Sequence, residues 1–204
     1  MEMPAPSIEN GTVARNPKRK PYSEIRAREF LTDKEVEELM GIARQRGRYE
    51  HRDATMILLA YRHGLRVSEL CTLRWEDVDL NQGLLHVRRI KRGVDSVHPL
   101  RGVELRALRR LQRHGAPSPY LFNSERGGPM SPAGFRKMLS RCGELSKLGF
   151  PVHPHMLRHA CGFKLANDGQ DTRAIQHYMG HRNIQHTVRY TELSGERFKG
   201  FWGD

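Results

Sequence analysis

Apolar positions along the chain fall into helical spacing over most of its length and into strand spacing once. Behind Thr32 and Glu35, Val36, Leu39, Met40 and Ala43 recur on one helical face, and Thr32 with Glu35 three residues on has the form of a capping box. A second helix is predicted through "DATMILLAYRH", stopping at Gly64, with a short third in "VSELCTLR". The period then shortens. "GLLHVRRIK" and "VDSVHPL" flank a turn near Arg92 and Gly93 and read as a β-hairpin. Helical spacing returns in "VELRALRRLQRH", where Leu105, Leu108 and Leu111 form the apolar side. It recurs after Ser131-Pro132 in "AGFRKMLSRCGELSKL", then in "PHMLRHACGFKLAND" as far as Gly169. Asp171 caps a last predicted helix, "DTRAIQHYM", which Gly180 ends as a left-handed stop. The pattern defines a mainly α fold with a small antiparallel β-sheet.

Two segments fit no period. Residues 1–29 mix Pro, Asn, Gly and both charges, and read as a disordered basic arm ahead of one domain over 30–195. "GHRNIQHTVRY", 180–190, has too few apolar residues for a packed helix and too little Gly, Pro and Asp for an ordinary loop. It reads as a segment built to hold polar side chains, His181 and Tyr190 among them, near a partner. The chain closes on a short aromatic tail, 196–204, with Phe198, Phe201 and Trp202.

Charge narrows the partner. Lys and Arg number 35 against 23 Asp and Glu, a net +12 over 204 residues, and such an excess on one small domain favours a polyanion. Between 88 and 113 there are nine basic residues, among them Arg88, Arg89, Arg92, Arg106, Arg109 and Arg110, against Asp95 and Glu104. The run spans a hairpin and a helix, so it reads as a phosphate-facing surface rather than one solvated helix face. Cys71, Cys142 and Cys161 are odd in number and widely spaced, which suits small core residues in a reducing compartment and neither a disulfide framework nor a zinc ribbon. No apolar leader or membrane-length apolar run occurs, and a cytoplasmic, nucleoid-associated protein is expected.

Two further fragments can carry chemistry. In "HMLRH", His155 and Arg158 share a helical face and make a phosphate-binding pair, while His159 reads as a hydrogen-bonded core group. His155 and His159 stand four apart, as metal-chelating histidines do, but lack the glutamate of a His-Glu-x-x-His site. In "HGLRVSEL", Arg66 projects between two helices and Glu69 stands where it can brace it.

In this order, Arg66 with Glu69, Lys91 on the hairpin, His155-x-x-Arg158, Gly180-His181 and Tyr190 resemble the tyrosine recombinase (phage integrase) family, over roughly residues 30–195. "HPHMLRHACGFKLANDGQDTRAIQHYMGHRNIQHTVRYT" is similar in particular to the small fimbrial phase-variation recombinases. The resemblance implies the family's catalytic-domain fold and cleavage of DNA through a 3′-phosphotyrosine. Tyr190 would be the nucleophile and Arg66 and Arg158 the phosphate clamp. His155 would be base or proton shuttle, Lys91 the acid for the 5′-oxygen, and His181 a donor to a non-bridging oxygen. No ATP, metal or other cofactor follows from that scheme. The partner is duplex DNA with short recombination sites. The assembly is a homo-tetramer on synapsed DNA, monomeric away from it, with DNA-bending accessory proteins as possible helpers. The core-binding domain of longer members is expected to be absent, since only 29 irregular residues precede the first helix. Promoter inversion, integration or excision, a type IB topoisomerase and a non-catalytic DNA-binding module remain distinct readings. Tyr178 is the nearest rival nucleophile, but its place before a helix-ending glycine suits packing.

Overall fold

A computed structural model describes residues 29–90 and 93–192. Lys91, Arg92, the basic arm through residue 28 and the chain from residue 193, aromatic tail included, lie outside the described residues. The described elements are helices α1 (Asp33–Gln45), α2 (Glu50–Arg62) and α3 (Val67–Thr72), a three-residue 3-10 turn, strands β1 (Val78–Asp79), β2 (Leu84–Val87) and β3 (Ser96–Pro99), then α4 (Gly102–His114), α5 (Pro132–Leu145), α6 (Pro154–Asn167), α7 (Thr172–Met179) and α8 (Gln185–Glu192). The mainly helical reading with one small antiparallel sheet holds.

The expected caps form. Thr32 and Glu35 close a reciprocal capping box on α1, Ser131 accepts from the Gly134 amide ahead of Pro132 on α5, and Asp171 accepts from the Arg173 and Ala174 amides of α7. Each satisfies amides that the first turn of a helix leaves unpaired. Gly180 ends α7 at φ +65° as anticipated.

Three features depart from the sequence pattern. The sheet has a third strand, β1, too short to leave a periodic signature. The described strands are shorter than expected, because pairing stops at Val87 and Ser96. The cause is local: the Arg89 amide donates to the Asp95 carboxylate, 2.7 Å away, and the Arg89 side chain turns inward. Third, the polar stretch after Gly180 turns and becomes the helix α8. Its apolar face is narrow because it covers only one groove.

A large core fills the space between α1, α2, α4, α5 and the start of α6, with Val36, Leu59, Leu70, Leu108, Phe135 and Leu139 all inaccessible to water. A smaller core under α7 and α8 gathers Cys161, Phe163, Ala166, Ile175, Met179 and Tyr190. All three cysteines are buried and unbridged. The ends of α2 and α7, the start of α3 and the root of the hairpin meet at the seam between these cores, and the polar residues of interest lie there.

Candidate active site

Glu69 is the centre of the site. It sits at the third position of α3, and Arg66 is the residue that caps that helix. The Arg66 amide donates to Glu69 Oε2 at 2.8 Å, and its guanidinium reaches Oε1 at 2.7 Å. Arg89 donates to Oε2 from the other side at 2.8 Å. The Arg89 side chain is wholly out of water, and Arg66 keeps 24% of its side-chain surface exposed. Burial alone would raise the Glu69 carboxyl, but Arg89 and the bonds from Arg66 outweigh it and hold it below the usual carboxylate range. Arg89 thus corrects the sequence reading, in which it belonged to the DNA-facing set. Its two terminal nitrogens bond Glu69 and the Tyr178 carbonyl, 2.6 Å away, and its side chain is closed off from water, so it does not face a DNA backbone.

Arg158, on α6, is also buried. Its two terminal nitrogens donate to the carbonyls of Gly64, at the end of α2, and Met179, at the end of α7. Burial, then the positive charges of Arg66 and Arg89, push it down to about 10, still protonated at neutral pH. These three arginines form a knot of like charge, which one carboxylate and three helix-terminal carbonyls hold together. The knot carries more positive than negative charge, and Arg66 is its exposed edge. Gly180 makes the knot possible, because a Cβ there would lie 2.6 Å from Arg89 Nε.

His181 follows Gly180. Its Nδ1 lies 2.9 Å from the hydroxyl of Thr187, a fully buried residue on α8. Burial first, then Arg158 and Arg66, push the imidazole down to about 3. In the tautomer whose Nδ1 accepts from Thr187, Nε2 is the nitrogen that donates.

Tyr190 is 1% exposed. Its ring lies against α6 where Gly162 leaves a notch, and a Cβ at Gly162 would come within 2.5 Å of it. Phe163 packs edge-on at 5.1 Å between ring centres, and the His181 ring stacks at 6.2 Å. The hydroxyl lies 3.0 Å from His159 Nδ1. Burial raises the phenol above its ordinary value, against the pull of Arg158 and Arg189. The side chain expected at the phosphate is therefore stored beside the cationic knot, with no open path to solvent. His155 is exposed at the start of α6, its ring 6.2 Å from that of His159.

Tyr178 is a packing residue. Its ring stacks on buried His98 at 3.8 Å between centres, and its hydroxyl donates to the Arg62 carbonyl at 3.0 Å. Through His63, which meets both His98 and Glu104, it ties the end of α7 to β3 and α4.

Of the residues assigned from sequence, the structure therefore gathers Arg66, Glu69, Arg158, His159, His181 and Tyr190 around one seam, with His155 at its rim. Lys91 and Arg92 are outside the described residues. Arg106, Arg109 and Arg110 are exposed on α4, and Arg88 is exposed but paired with Asp77 at 3.0 Å. Sequence reasoning missed Arg89 as a brace, the Thr187 hydroxyl and Gly162. A glycine inside a helical pattern is a signal for close packing, and it was present in "HACGF".

Residues 29–197 match the phage integrase family, and the chain belongs to that family. It is 45% identical over 181 residues to type 1 fimbriae regulatory protein FimE of Escherichia coli K12, covering 86% of this chain and 91% of that protein. The crystal structure of XerA recombinase superposes with a TM-score of 0.72 at 27% identity, covering 83% of this chain and 62% of that one. The Tn1549 transposon integrase, in complex with circular intermediate DNA, superposes with a TM-score of 0.66 at 25% identity, over 78% of this chain and 61% of that one. Among the described residues, no helix is long and apolar enough to cross a membrane.

Two measurements check this geometry. Glu69→Gln leaves Arg89 buried with its main counter-charge gone, and should cost about 3–5 kcal/mol in urea unfolding at pH 7. A carboxyl whose value is depressed by folding stabilises above the ordinary glutamate value, about 4.3, and loses that effect as pH falls through its folded value. The difference between wild type and variant should therefore shrink on acidification below that value. Gly162→Ala should force the Tyr190 ring from its notch, read as faster nitration of Tyr190 by tetranitromethane than in the parent.

Proposed function

We propose that the protein is a site-specific DNA recombinase that cuts and rejoins strands through a covalent 3′-phosphate ester on Tyr190. The observation that carries this reading is the three-arginine knot, exposed at Arg66, with the phenol of Tyr190 buried against its flank. Family membership and the 45% identity to FimE support it, and the DNA bound to the Tn1549 integrase supports duplex DNA as the partner.

The chemistry follows from the groups present. Cleaving a phosphodiester without water needs a nucleophile in the chain, and the phenol supplies it. The transition state gathers charge on the non-bridging oxygens. Preorganised donors stabilise that charge most when they are already fixed and partly out of water, as Arg66, Arg158 and His181 are. A guanidinium fork bonds two oxygens at once. Lys91, between β2 and β3 in the sequence, protonates the departing 5′-oxygen, and the imidazoles of α6, His155 and His159, handle the Tyr190 proton. The ester keeps the energy of the broken bond, so the 5′-hydroxyl of another strand can reseal it without ATP.

Exposed Arg106, Arg109 and Arg110 on α4, with Arg88 and Arg92 beside the hairpin, meet backbone phosphates. The working assembly is a tetramer on two synapsed sites in the cytoplasm, monomeric off DNA, with bending proteins assisting where the site requires them. Inversion of a promoter segment is the use that similarity to a fimbriae regulatory protein favours. A type IB topoisomerase shares the chemistry but not the site choice.

Attack requires Tyr190 to leave its notch, so binding of DNA has to draw α8 away from α6. Incubated without metal with nicked suicide duplexes of randomised arms, the protein should form a covalent adduct that Tyr190→Phe abolishes. Adducts should be enriched in one short sequence. Adducts with no sequence preference would indicate the topoisomerase, and binding without adduct would indicate a binding module. Affinity should fall steeply with salt, and Arg106, Arg109 and Arg110 changed together to Ala should reduce the slope of log affinity against log salt by about three.

A further inference from the structure

We propose that Tyr178 is a positioning residue for the phosphate clamp, holding the ends of α2 and α7 together so that their carbonyls aim Arg158. The inference rests on the recombinase reading above, and it gives a role to the tyrosine that the sequence offers as a rival nucleophile.

Two helix ends meet at Arg158. α2 stops at Arg62-His63-Gly64 and α7 at Tyr178-Met179-Gly180, and each end leaves carbonyls that its own helix cannot partner. Arg158 takes one from each, Gly64 and Met179. A guanidinium is a planar fork, so two fixed acceptors set both its position and its plane. The negative ends of two helix dipoles suit a cation there. The aim of Arg158 therefore depends on how the two ends are held relative to each other.

Tyr178 spans that junction. Its backbone belongs to α7, where its carbonyl accepts from Arg89 at 2.6 Å, one residue ahead of the carbonyl that holds Arg158. Its hydroxyl crosses to α2 and donates to the Arg62 carbonyl at 3.0 Å, two residues ahead of Gly64. The same hydroxyl lies 3.2 Å from His63 Nδ1. Burial raises the phenol above its ordinary value, so it keeps the proton it donates. The ring stacks on His98 at 3.8 Å between centres. His98 and His63 are fully buried with their Nδ1 atoms 3.1 Å apart, and His63 Nε2 lies 2.7 Å from the Glu104 carboxylate. Tyr178 thus rests on groups of β3, α4 and the end of α2 that supply nothing to the proposed clamp itself.

The two ends also touch. A Cβ on Gly64 would come within 2.5 Å of Met179 Sδ, so the residues whose carbonyls hold Arg158 pack directly on each other. Apolar contact is non-directional, so it fixes the spacing of the ends and leaves their twist open. The hydroxyl bond to Arg62 is directional and closes that freedom. Cys161 adds only a weak sulfur donor to the same carbonyl, at 3.5 Å.

The test separates aim from fold. Tyr178→Phe keeps the ring on His98 and removes the hydroxyl, and Tyr178→Leu removes both. Single-turnover adduct formation is measured for the parent, these two variants and Arg158→Ala, on suicide duplexes carrying either the ordinary scissile phosphate or a methylphosphonate in its place. A methylphosphonate has lost its anionic oxygen, so its transition state draws less on a well-aimed guanidinium. On phosphate, Tyr178→Phe should be slower than the parent by about tenfold and Tyr178→Leu by more, because small misplacements of a preorganised group carry large rate costs. On methylphosphonate both variants should fall within about threefold of the parent, the pattern also expected of Arg158→Ala. Parental speed there requires a folded enzyme, so that arm reports the fold as well. Tyr178→Phe slowed by the same factor on both substrates, or as fast as the parent on phosphate, overturns the assignment. Arg158→Ala equally slow on both substrates takes the clamp role from Arg158 and the positioning role with it. A parent that forms no adduct at all overturns the recombinase reading on which both depend.

Discussion

Glu69 lies almost entirely out of water with Arg66 on one side and Arg89 on the other, and the cationic site is arranged around this contact. Removing a carboxylate and a guanidinium from water costs several kcal/mol each, which their attraction recovers only in good geometry. The recovery here is tight at both oxygens, 2.7 and 2.8 Å. Arg66 thereby begins α3 in a fixed orientation, and Arg89 roots the hairpin against the end of α7 through the Tyr178 carbonyl. The Met179 carbonyl next to it holds Arg158. Glu69 and its two arginines thus set the relative positions of α3, Arg89 just beyond β2, α6 and α7.

Tyr190 obeys a different constraint. Tyr190 sits in a small core whose other members are apolar, and its ring fills a notch that only glycine leaves open. An aromatic ring gains by leaving water, and the hydroxyl keeps one partner in His159, so storage satisfies both ends of the side chain. Stored, the phenol is neutral and hidden from adventitious phosphates. The cationic clamp needs no such protection, because guanidiniums are not reactive. In the proposed reading the fold therefore separates the cationic residues, fixed on helix ends, from the phenol carried on α8.

Most of the fold was legible in the sequence because its helices are amphipathic and begin on strong caps, Thr32, Ser131 and Asp171 among them. The order of the polar motifs already pointed to Arg66, Glu69, Arg158, His181 and Tyr190, which the fold brings to one seam. What local pattern could not convey was long-range pairing. Arg89 looks like its basic neighbours Arg88 and Arg92 until the fold brings Glu69 to it from twenty residues away. α8 was hidden because its apolar side is only wide enough to cover α6 and α7, so Thr187 and Tyr190 are its buried residues and the rest is polar. The burial of Tyr190 was likewise invisible, since it depends on Gly162 in another helix.

The central claim is that Arg66, Arg158, His181 and Tyr190 converge on one phosphate. A structure of the protein with a duplex carrying its selected sequence, trapped with vanadate in place of the scissile phosphate, tests it most directly. The account predicts the vanadate bonded to the Tyr190 oxygen, with Arg66 and Arg158 on its equatorial oxygens and α8 displaced from the Gly162 notch. A vanadate bound away from Arg66 and Arg158, with Tyr190 still lodged against Gly162 in a complex competent for cleavage, would contradict it.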